Sequence, residues 1–164
     1  MSTACATCGQ PHGELPFGYG ARAPLAAGEI PAAERDERLE LGDDQCVIDD
    51  ARFFLRGRLE IAVTDAPQHT FIWGVWVEVT ELQFDRAAAL WETEDSKQPP
   101  MPGTLSTAVP SFEGTAGLAA QLHFHAAGQV PRVVLTTADH PLVAEQQQGI
   151  SLERVKAIRD SVMA

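Results

Sequence analysis

Apolar and polar residues alternate along two neighbouring stretches of the chain. Every second position from Phe53 to Val63 is apolar or glycine, and Arg56, Arg58 and Glu60 lie between these positions. Residues 71–79 repeat the alternation, and several residues on their second face are also apolar. Because successive side chains of a β-strand point to opposite faces, the pattern predicts two strands joined as an antiparallel hairpin. The apolar second face indicates that the second strand is central in its sheet.

The later part of the chain predicts two more strands and three helices. Alternation recurs at residues 118–125 and 129–137. Pro131 indicates that the second of these strands lies at a sheet edge, since proline donates no backbone hydrogen bond. Apolar residues at helical spacing predict helices that begin at Thr80, Pro141 and Ser151. The expected fold class is α+β, with an antiparallel sheet of about four or five strands flanked by helices.

Two segments lack this periodicity. Residues 1–45 are rich in glycine, proline and alanine, apart from a charged stretch at 32–41 that predicts a short exposed helix. Residues 96–117 are rich in proline, glycine, serine and threonine, and they are too long for an ordinary connection. We expect a loop there that is either disordered or functional. A chain of 164 residues fits a single domain, in which residues 46–164 form the α+β core.

The acidic balance of the chain limits its partners. Asp and Glu outnumber Lys and Arg by 23 to 12, which gives a net charge of −11. Such a field repels nucleic acid and anionic membranes and attracts positive surfaces, so we expect a basic protein partner. No apolar run approaches the ~20 residues of a membrane span, and no basic segment followed by an apolar stretch opens the chain. We therefore expect a cytoplasmic protein.

The sequence Cys-Ala-Thr-Cys-Gly-Gln-Pro-His near the N-terminus has the spacing of a zinc knuckle. Cys5 and Cys8 can bind one tetrahedral ion, and Gly9 allows the backbone to turn beneath it. Cys46 and His12 are the candidates for the third and fourth ligands, which would complete a closed structural zinc site. Alternatively, the cysteine pair is free, and Cys46 is a small buried hydrophobic residue at the start of a strand.

Two histidines indicate a competing metal centre. His123 and His125 are two residues apart on a predicted strand, so both rings would lie on one face, as in several metal enzymes. Asp139 or His140, on the next connection, would approach this pair. The alternative is that both histidines are simply solvated on the polar face of the strand.

Two further features are candidates for ligand contact. Arg56 and Arg58 form a small basic patch on an acidic chain, which would receive an anion unless Glu60 or other carboxylates pair with it. Trp73 and Trp76 point to opposite faces of their strand. We expect one of them in the core and the other, Trp76, at a ligand or partner surface.

Several motifs together resemble the bacterial DUF2199 family. They are the Cys-x-x-Cys-Gly-x-x-His motif, Cys46-Val47-Ile48-Asp49, Phe53-Phe54-Leu55-Arg56-Gly57, Leu59-Glu60-Ile61, Trp73-Gly74-Val75-Trp76-Val77, Asp139-His140-Pro141-Leu142, Glu145-Gln146 and Gly149-Ile150. The resemblance spans nearly the whole chain and weakens within residues 96–117, where Met101-Pro102-Gly103-Thr104 stands in place of an aromatic-glycine-tryptophan stretch. It implies no particular activity.

We therefore expect a non-enzymatic binding or interaction module with zinc as a structural staple. The competing hypothesis is a metal-dependent, hydrolase-like enzyme that uses His123 and His125. The position of the metal distinguishes the two functions. A binding module carries one closed site at the cysteines, whereas an enzyme needs an open site in a cleft.

Protein purified without chelator is expected to contain about one zinc ion per chain, because two thiolates at this spacing bind zinc. Mass spectrometry with plasma ionisation measures the metal content directly. The double change Cys5→Ser and Cys8→Ser should remove the metal. Native protein that contains neither zinc nor iron would contradict the prediction.

Overall fold

A single sheet of eight strands forms the centre of the protein. The computed structural model describes residues 16–91, 99–124, 130–137 and 139–163. The strands are β1 (Gly18–Gly20), β2 (Leu39–Leu41), β3 (Gln45–Ile48), β4 (Arg52–Ala62), β5 (Thr70–Val79), β6 (Met101–Leu105), β7 (Ala119–His123) and β8 (Arg132–Leu135). The helices are α1 (Arg35–Arg38), α2 (Glu81–Trp91), α3 (Pro141–Gln148) and α4 (Leu152–Met163), with short 3-10 helices at Leu25–Glu29 and Ala32–Glu34. The α+β class predicted from the sequence is confirmed.

The longest pairing in the sheet is the antiparallel ribbon of β4 and β5. Its register runs without a break from Phe53 opposite Val79 to Ala62 opposite Thr70. One face of both strands is buried in the main core, as the alternation in sequence predicted. The predicted hairpin is therefore confirmed. Its second strand is also buried at Trp76 on the other face.

Five of the strands close into a barrel-like ring. The order β4, β5, β6, β7 and β8 returns to β4, because Arg58 of β4 pairs in parallel with Arg132 of β8. β1 also runs parallel to β5, so the sheet is mixed. The expected sheet of about four or five antiparallel strands is thus corrected to eight strands in a mixed sheet. The strands β1, β2, β3 and β6 span only three to five residues, which is too short for a clear periodic pattern, and sequence alternation does not report strand direction.

The prediction that the strand at Pro131 lies at a sheet edge is wrong, because β8 lies inside the ring between β7 and β4. Proline is tolerated here because the bond to β4 uses its carbonyl group. The oxygen of Pro131 accepts a hydrogen bond from the backbone nitrogen of Arg58 at 2.9 Å. The missing N–H of proline therefore costs the ring no hydrogen bond.

A second, smaller core lies on the outer face of β3, β4 and β5. Phe54 and Trp76 are fully buried there. They are covered by apolar residues from the chain before β2, namely Ala26, Ala27 and Ile30. The two cores lie on opposite faces of the ribbon, because Phe54 and Trp76 alternate with the residues that face the ring interior.

The described part of the N-terminal segment has more structure than its composition indicates. Residues 16–45 contain β1, two 3-10 helices, α1 and β2, and they are held to the sheet by strand pairing and the second core. The helix predicted at 32–41 is shorter, because the chain becomes extended at Leu39 and pairs with β3. The zinc-knuckle sequence lies in residues 1–15, outside the described residues.

The segment predicted to be a long loop contains β6 and a set of buried threonines. Thr115 donates its hydroxyl to the carbonyl of Thr107 at 2.7 Å and accepts from the nitrogen of Val109 at 2.9 Å. The hydroxyl oxygen of Thr107 accepts from the nitrogen of Trp76 at 2.8 Å. The polar composition of this segment therefore satisfies backbone groups inside the protein, and it does not indicate an open loop over the described residues.

The ends of the helices follow the capping signals in the sequence. At the start of α2, the nitrogen of Thr80 donates to Gln83 Oε1 at 2.9 Å, and the nitrogen of Gln83 donates to Thr80 Oγ1 at 3.2 Å. Ser151 Oγ accepts from the nitrogen of Arg154 at 3.1 Å at the start of α4, and Gly149 ends α3. All three predicted helices are confirmed. Over the described ranges, no helix is long and apolar enough to cross a membrane.

Each long strand of the ribbon changes its outer neighbour near its middle. β4 pairs with β3 up to Leu55 and with β8 at Arg58. β5 pairs with β1 up to Gly74 and with β6 from Val77. Arg58 and Gly74 face each other in register, so these two branch points lie side by side. The neighbouring strands therefore separate on both sides of the ribbon at the same position along its length.

Gly57 is required at the branch point of β4. A Cβ on this residue would lie 2.3 Å from Val133 Cγ2 and 3.1 Å from the carbonyl oxygen of Pro131. The Val133 methyl group can move, but the carbonyl belongs to the hydrogen bond that closes the ring. The ring therefore depends on the absence of a side chain at this position.

Gly57→Ala is expected to lower the free energy of unfolding by about 1–3 kcal/mol, as overpacking in a core does. Urea denaturation measures the change. Gly28→Ala is the matched control, because nothing lies within 4 Å of a Cβ built there, and a change of at most about 0.5 kcal/mol is expected. Equal stability of Gly57→Ala and the wild type would contradict the close packing.

Candidate functional site

The second core covers only part of the outer face of the β4–β5 ribbon. Beyond Trp76, this face forms the floor of an open cleft of about 550 Å³. We name it the arginine cleft and define it by Phe17, Gly20, Arg56, Arg58, Ile72 and Gly74. A smaller hollow of about 290 Å³ lies on the other side of Arg56, between residues 42–45 and Pro131. The side chain of Arg56 borders both spaces.

Arg56 lies across the two neighbouring strands, β5 and β1. Its Nη2 atom is 3.3 Å from the position that a Cβ would take on Gly20 and 3.5 Å from the corresponding position on Gly74. A Cβ on Gly20 would press on the guanidinium, whereas a Cβ on Gly74 would be in ordinary contact with it and would press on the Cα of Gly20 at 3.1 Å. On its other side, Arg56 Nη1 donates a long hydrogen bond of 3.5 Å to the carbonyl oxygen of Asp43.

Arg56 differs from Arg52 and Arg58 on β4 in its contacts with carboxylates of the described residues. Arg52 pairs with Glu78 at 2.8 Å, and Arg58 approaches Glu60 at 3.9 Å. Within the part of the chain that the structure describes, Arg56 forms no ion pair. The sequence left open whether carboxylates would neutralise Arg56 and Arg58. In the structure, Arg58 has a long contact with Glu60, and Arg56 has no ion-pair partner among the described residues. The guanidinium of Arg56 is available to a ligand.

Two more basic residues continue the positive patch along the outer face. Arg132 of β8 lies opposite Arg58 of β4 on one side and opposite His123 of β7 on the other. Residues opposite each other on adjacent strands have their side chains on the same face. Burial, followed by the charge of Arg132, lowers the pKa of His123 below its ordinary value. The permanent positive charge of the patch therefore comes from its arginines.

Four of the predicted metal-binding and ligand residues lie outside the described residues. They are Cys5, Cys8, His12 and His125. Zinc at the N-terminal motif, and any pairing of His125 with His123, therefore stay predictions. Over residues 16–91, 99–124, 130–137 and 139–163, no group of three or more His, Cys, Asp or Glu side chains is arranged to hold a metal ion.

Cys46 lies in the second core and is 0% exposed. Burial raises the pKa of its thiol to about 11, which favours the protonated form. Its neighbours in the second core are apolar, among them Ile48, Phe54 and Trp76. The environment matches the alternative interpretation of the sequence, in which Cys46 is a small buried hydrophobic residue.

His140 uses both of its ring nitrogens to hold the backbone. Nδ1 accepts from the nitrogen of Leu142 at 3.1 Å, which caps the start of α3. Nε2 lies 2.7 Å from the carbonyl oxygen of Glu113, to which it donates. These two contacts assign the tautomer and leave no ring nitrogen free for a ligand. Asp139, the other candidate in this region, is exposed.

The prediction that Trp76 lies at a ligand or partner surface is wrong, because both Trp73 and Trp76 are buried. Trp73 is 2% exposed in the main core, and Trp76 is 0% exposed in the second core. The indole nitrogen of Trp76 donates to the carbonyl oxygen of Ala21 at 3.0 Å. Alternation in sequence correctly assigned the two side chains to opposite faces, but it does not reveal that the N-terminal segment covers the outer one.

Sequence reasoning identified Arg56 but missed the residues that shape its cleft. Gly20 belongs to a strand of three residues, which is too short for a periodic pattern. Phe17 stacks on His69 with ring centroids 4.1 Å apart and also lines the cleft. The one available signal was the spacing of Gly18 and Gly20, since glycines in a strand often mark a close approach of another backbone.

The fold and the cleft define an α+β protein with a barrel-like sheet and a positively charged cleft on the outside of that sheet. The chain belongs to the DUF2199 family, described as an uncharacterized protein conserved in bacteria, whose model matches residues 4–150. This match confirms the resemblance seen in the sequence motifs. No curated protein and no solved structure matches the chain.

Proposed function

We propose that the protein is a non-enzymatic binding module that holds the anionic group of a small ligand in the arginine cleft. The observation that carries the proposal is the position of Arg56. Its guanidinium lies over Gly20 and Gly74 in an open cleft, and it has no carboxylate partner among the described residues.

An anion is the group that fits this arrangement. A guanidinium presents its N–H donors in a planar fork that matches a carboxylate or a phosphate. The only hydrogen bond of the Arg56 side chain within the described residues is the 3.5 Å contact with Asp43, which is long and leaves most donors free. Arg58 lies two positions along the same face, and its 3.9 Å contact with Glu60 is at the limit of an ion pair.

The charge and size of the cleft favour a small ligand over a polyanion. A net charge of −11 repels an extended polyanion such as nucleic acid. The attraction of one arginine is screened within about 10 Å, so it acts on a group that has already entered the cleft. The cleft volume of about 550 Å³ suits a small molecule, and Phe17 and Ile72 provide apolar contact for the rest of such a ligand.

Two proposals from the sequence stand beside this one. Zinc held by Cys5 and Cys8 would staple the N-terminal segment, and the acidic surface would attract a basic protein partner. Neither proposal requires the arginine cleft. The competing enzyme hypothesis needs a metal cation at His123 and His125. The guanidinium of Arg132, directly opposite His123 in register, makes that position unfavourable for a cation.

Isothermal titration calorimetry with inorganic phosphate and with succinate tests the proposal. Arg56→Ala is expected to weaken binding of the tighter probe roughly 10- to 100-fold, because a charged hydrogen bond contributes about 1.5–3 kcal/mol. Gly20→Ala should also weaken binding, since its Cβ would lie 3.3 Å from Arg56 Nη2 and no closer than 3.8 Å to any other neighbouring atom.

Arg52→Ala is the matched control for these variants. Arg52 is on the same face of the same strand, but Glu78 already neutralises it, so its loss should leave the affinity unchanged. Thermal melts followed by circular dichroism establish that each variant is folded. The proposal fails if neither probe binds the wild type, if Arg56→Ala binds as the wild type does, or if Arg52→Ala weakens binding equally.

A further inference from the structure

Three arginines lie next to one another on the outer face of the ring, and the lining of the arginine cleft includes two of them. Arg56 and Arg58 line the cleft. Arg132 of β8 lies opposite Arg58 in register, so both side chains are on the same face of the sheet. Adjacent strands are about 5 Å apart, and alternate residues of one strand are about 7 Å apart. Arg58 is therefore the immediate neighbour of both other arginines.

The position of Arg132 opposite Arg58 is unfavourable for the sheet itself. Like charges that face each other on adjacent strands repel. Arg132 is exposed and forms no ion pair within the part of the chain that the structure describes. Glu60 reaches Arg58 only at 3.9 Å, and one carboxylate does not balance two guanidinium groups. The positive charge of this pair is therefore not neutralised by the described residues.

A shortage of carboxylates does not explain this imbalance. The chain carries 23 acidic and only 12 basic residues, so carboxylates are in excess. Arg52 shows the ordinary outcome on the same strand, since Glu78 accepts two hydrogen bonds from its guanidinium at 2.8 and 2.9 Å. A local arrangement that is unfavourable for the fold is typical of a functional site, where a ligand provides the compensation.

We propose that the ligand of the arginine cleft carries two anionic groups, either two carboxylates or two phosphates. Arg56 binds the first group, and Arg58 together with Arg132 binds the second. This inference rests on the proposed function, because it extends the same cleft to a second anion. A group bound between Arg58 and Arg132 replaces their mutual repulsion with charge-assisted hydrogen bonds.

The overall charge of the protein makes the proposal specific to these side chains. A net charge of −11 repels a doubly charged ligand more strongly than a singly charged one. General electrostatic attraction therefore does not favour the second anionic group. Any gain in affinity from that group has to come from positive charge close to the cleft.

Two pairs of probes test the proposal by isothermal titration calorimetry at low and constant ionic strength, because salt screens exposed charges. Succinate and succinamate have nearly the same shape, but succinamate has an amide in place of one carboxylate. Methylenediphosphonate and methylphosphonate carry two and one phosphonate groups. In the pair that binds more tightly, the probe with two anionic groups is expected to bind at least about tenfold more tightly than its partner.

Arg132→Gln is the variant that separates the two anionic groups. It should remove most of the advantage of the doubly anionic probe and leave the affinity of the singly anionic probe unchanged. The exposed position of Arg132 allows the substitution without loss of the fold, which a thermal melt checks. Arg52→Gln is the matched control, because it removes an equal charge that Glu78 already neutralises. It should change neither affinity.

The results distinguish a failure of this inference from a failure of the proposed function. If the singly anionic probes bind and Arg56→Ala weakens them, the anion site stands. Equal affinities within both pairs, an advantage that persists in Arg132→Gln, or an equal loss in Arg52→Gln then overturns the ligand with two anionic groups. If no probe binds, or if Arg56→Ala leaves binding unchanged, the proposed function and this inference both fail.

Discussion

The register of β4 against β5 is the constraint on which the rest of the structure depends. Ten residue pairs in unbroken succession place Leu59 inside the ring and Arg56 outside it. A slip of one residue would exchange the two faces of a strand, moving arginines into the main core and leucines to the surface. The cost of burying an unpaired charge makes this exchange prohibitive. The same register sets the two branch points side by side, and the arginine cleft lies where the neighbours of the ribbon diverge.

The periodicity of apolar residues predicted the long strands and helices. It did not predict the short strands or the order in which the strands pair. β4, β5 and the three longer helices each span enough residues to show their period. β6 has the composition of a loop, with a proline and a glycine in five residues. Gly103 is needed there because a Cβ would lie 2.5 Å from Val77 Cγ1 and 2.8 Å from the carbonyl oxygen of Glu78. The closure of the ring rests on one pairing between residues far apart in sequence, and no local pattern encodes such a contact.

The sequence predicted that the site is positively charged, but it did not predict how the side chains of the site are arranged. Alternation placed Arg56, Arg58 and Glu60 on one face, yet only the structure shows that Glu78 reaches the nearby Arg52 and that Arg56 has no such partner within the described residues. The two glycines beside the guanidinium are distant in sequence and meet only because β1 runs beside β5. The tryptophan prediction failed for a related reason. A pattern shows which face a side chain occupies and not which segment covers that face.

The central claim is that the uncovered part of the ribbon binds an anion through Arg56, and a phosphate titration followed by amide chemical shifts tests it most directly. The account predicts saturable shifts of the backbone amides of Gly20, Gly57 and Gly74, which line the arginine cleft. Amides around Cys46, in the covered second core, should not respond. Saturable shifts elsewhere with none at these three glycines, or a uniform drift that does not saturate, would contradict the account.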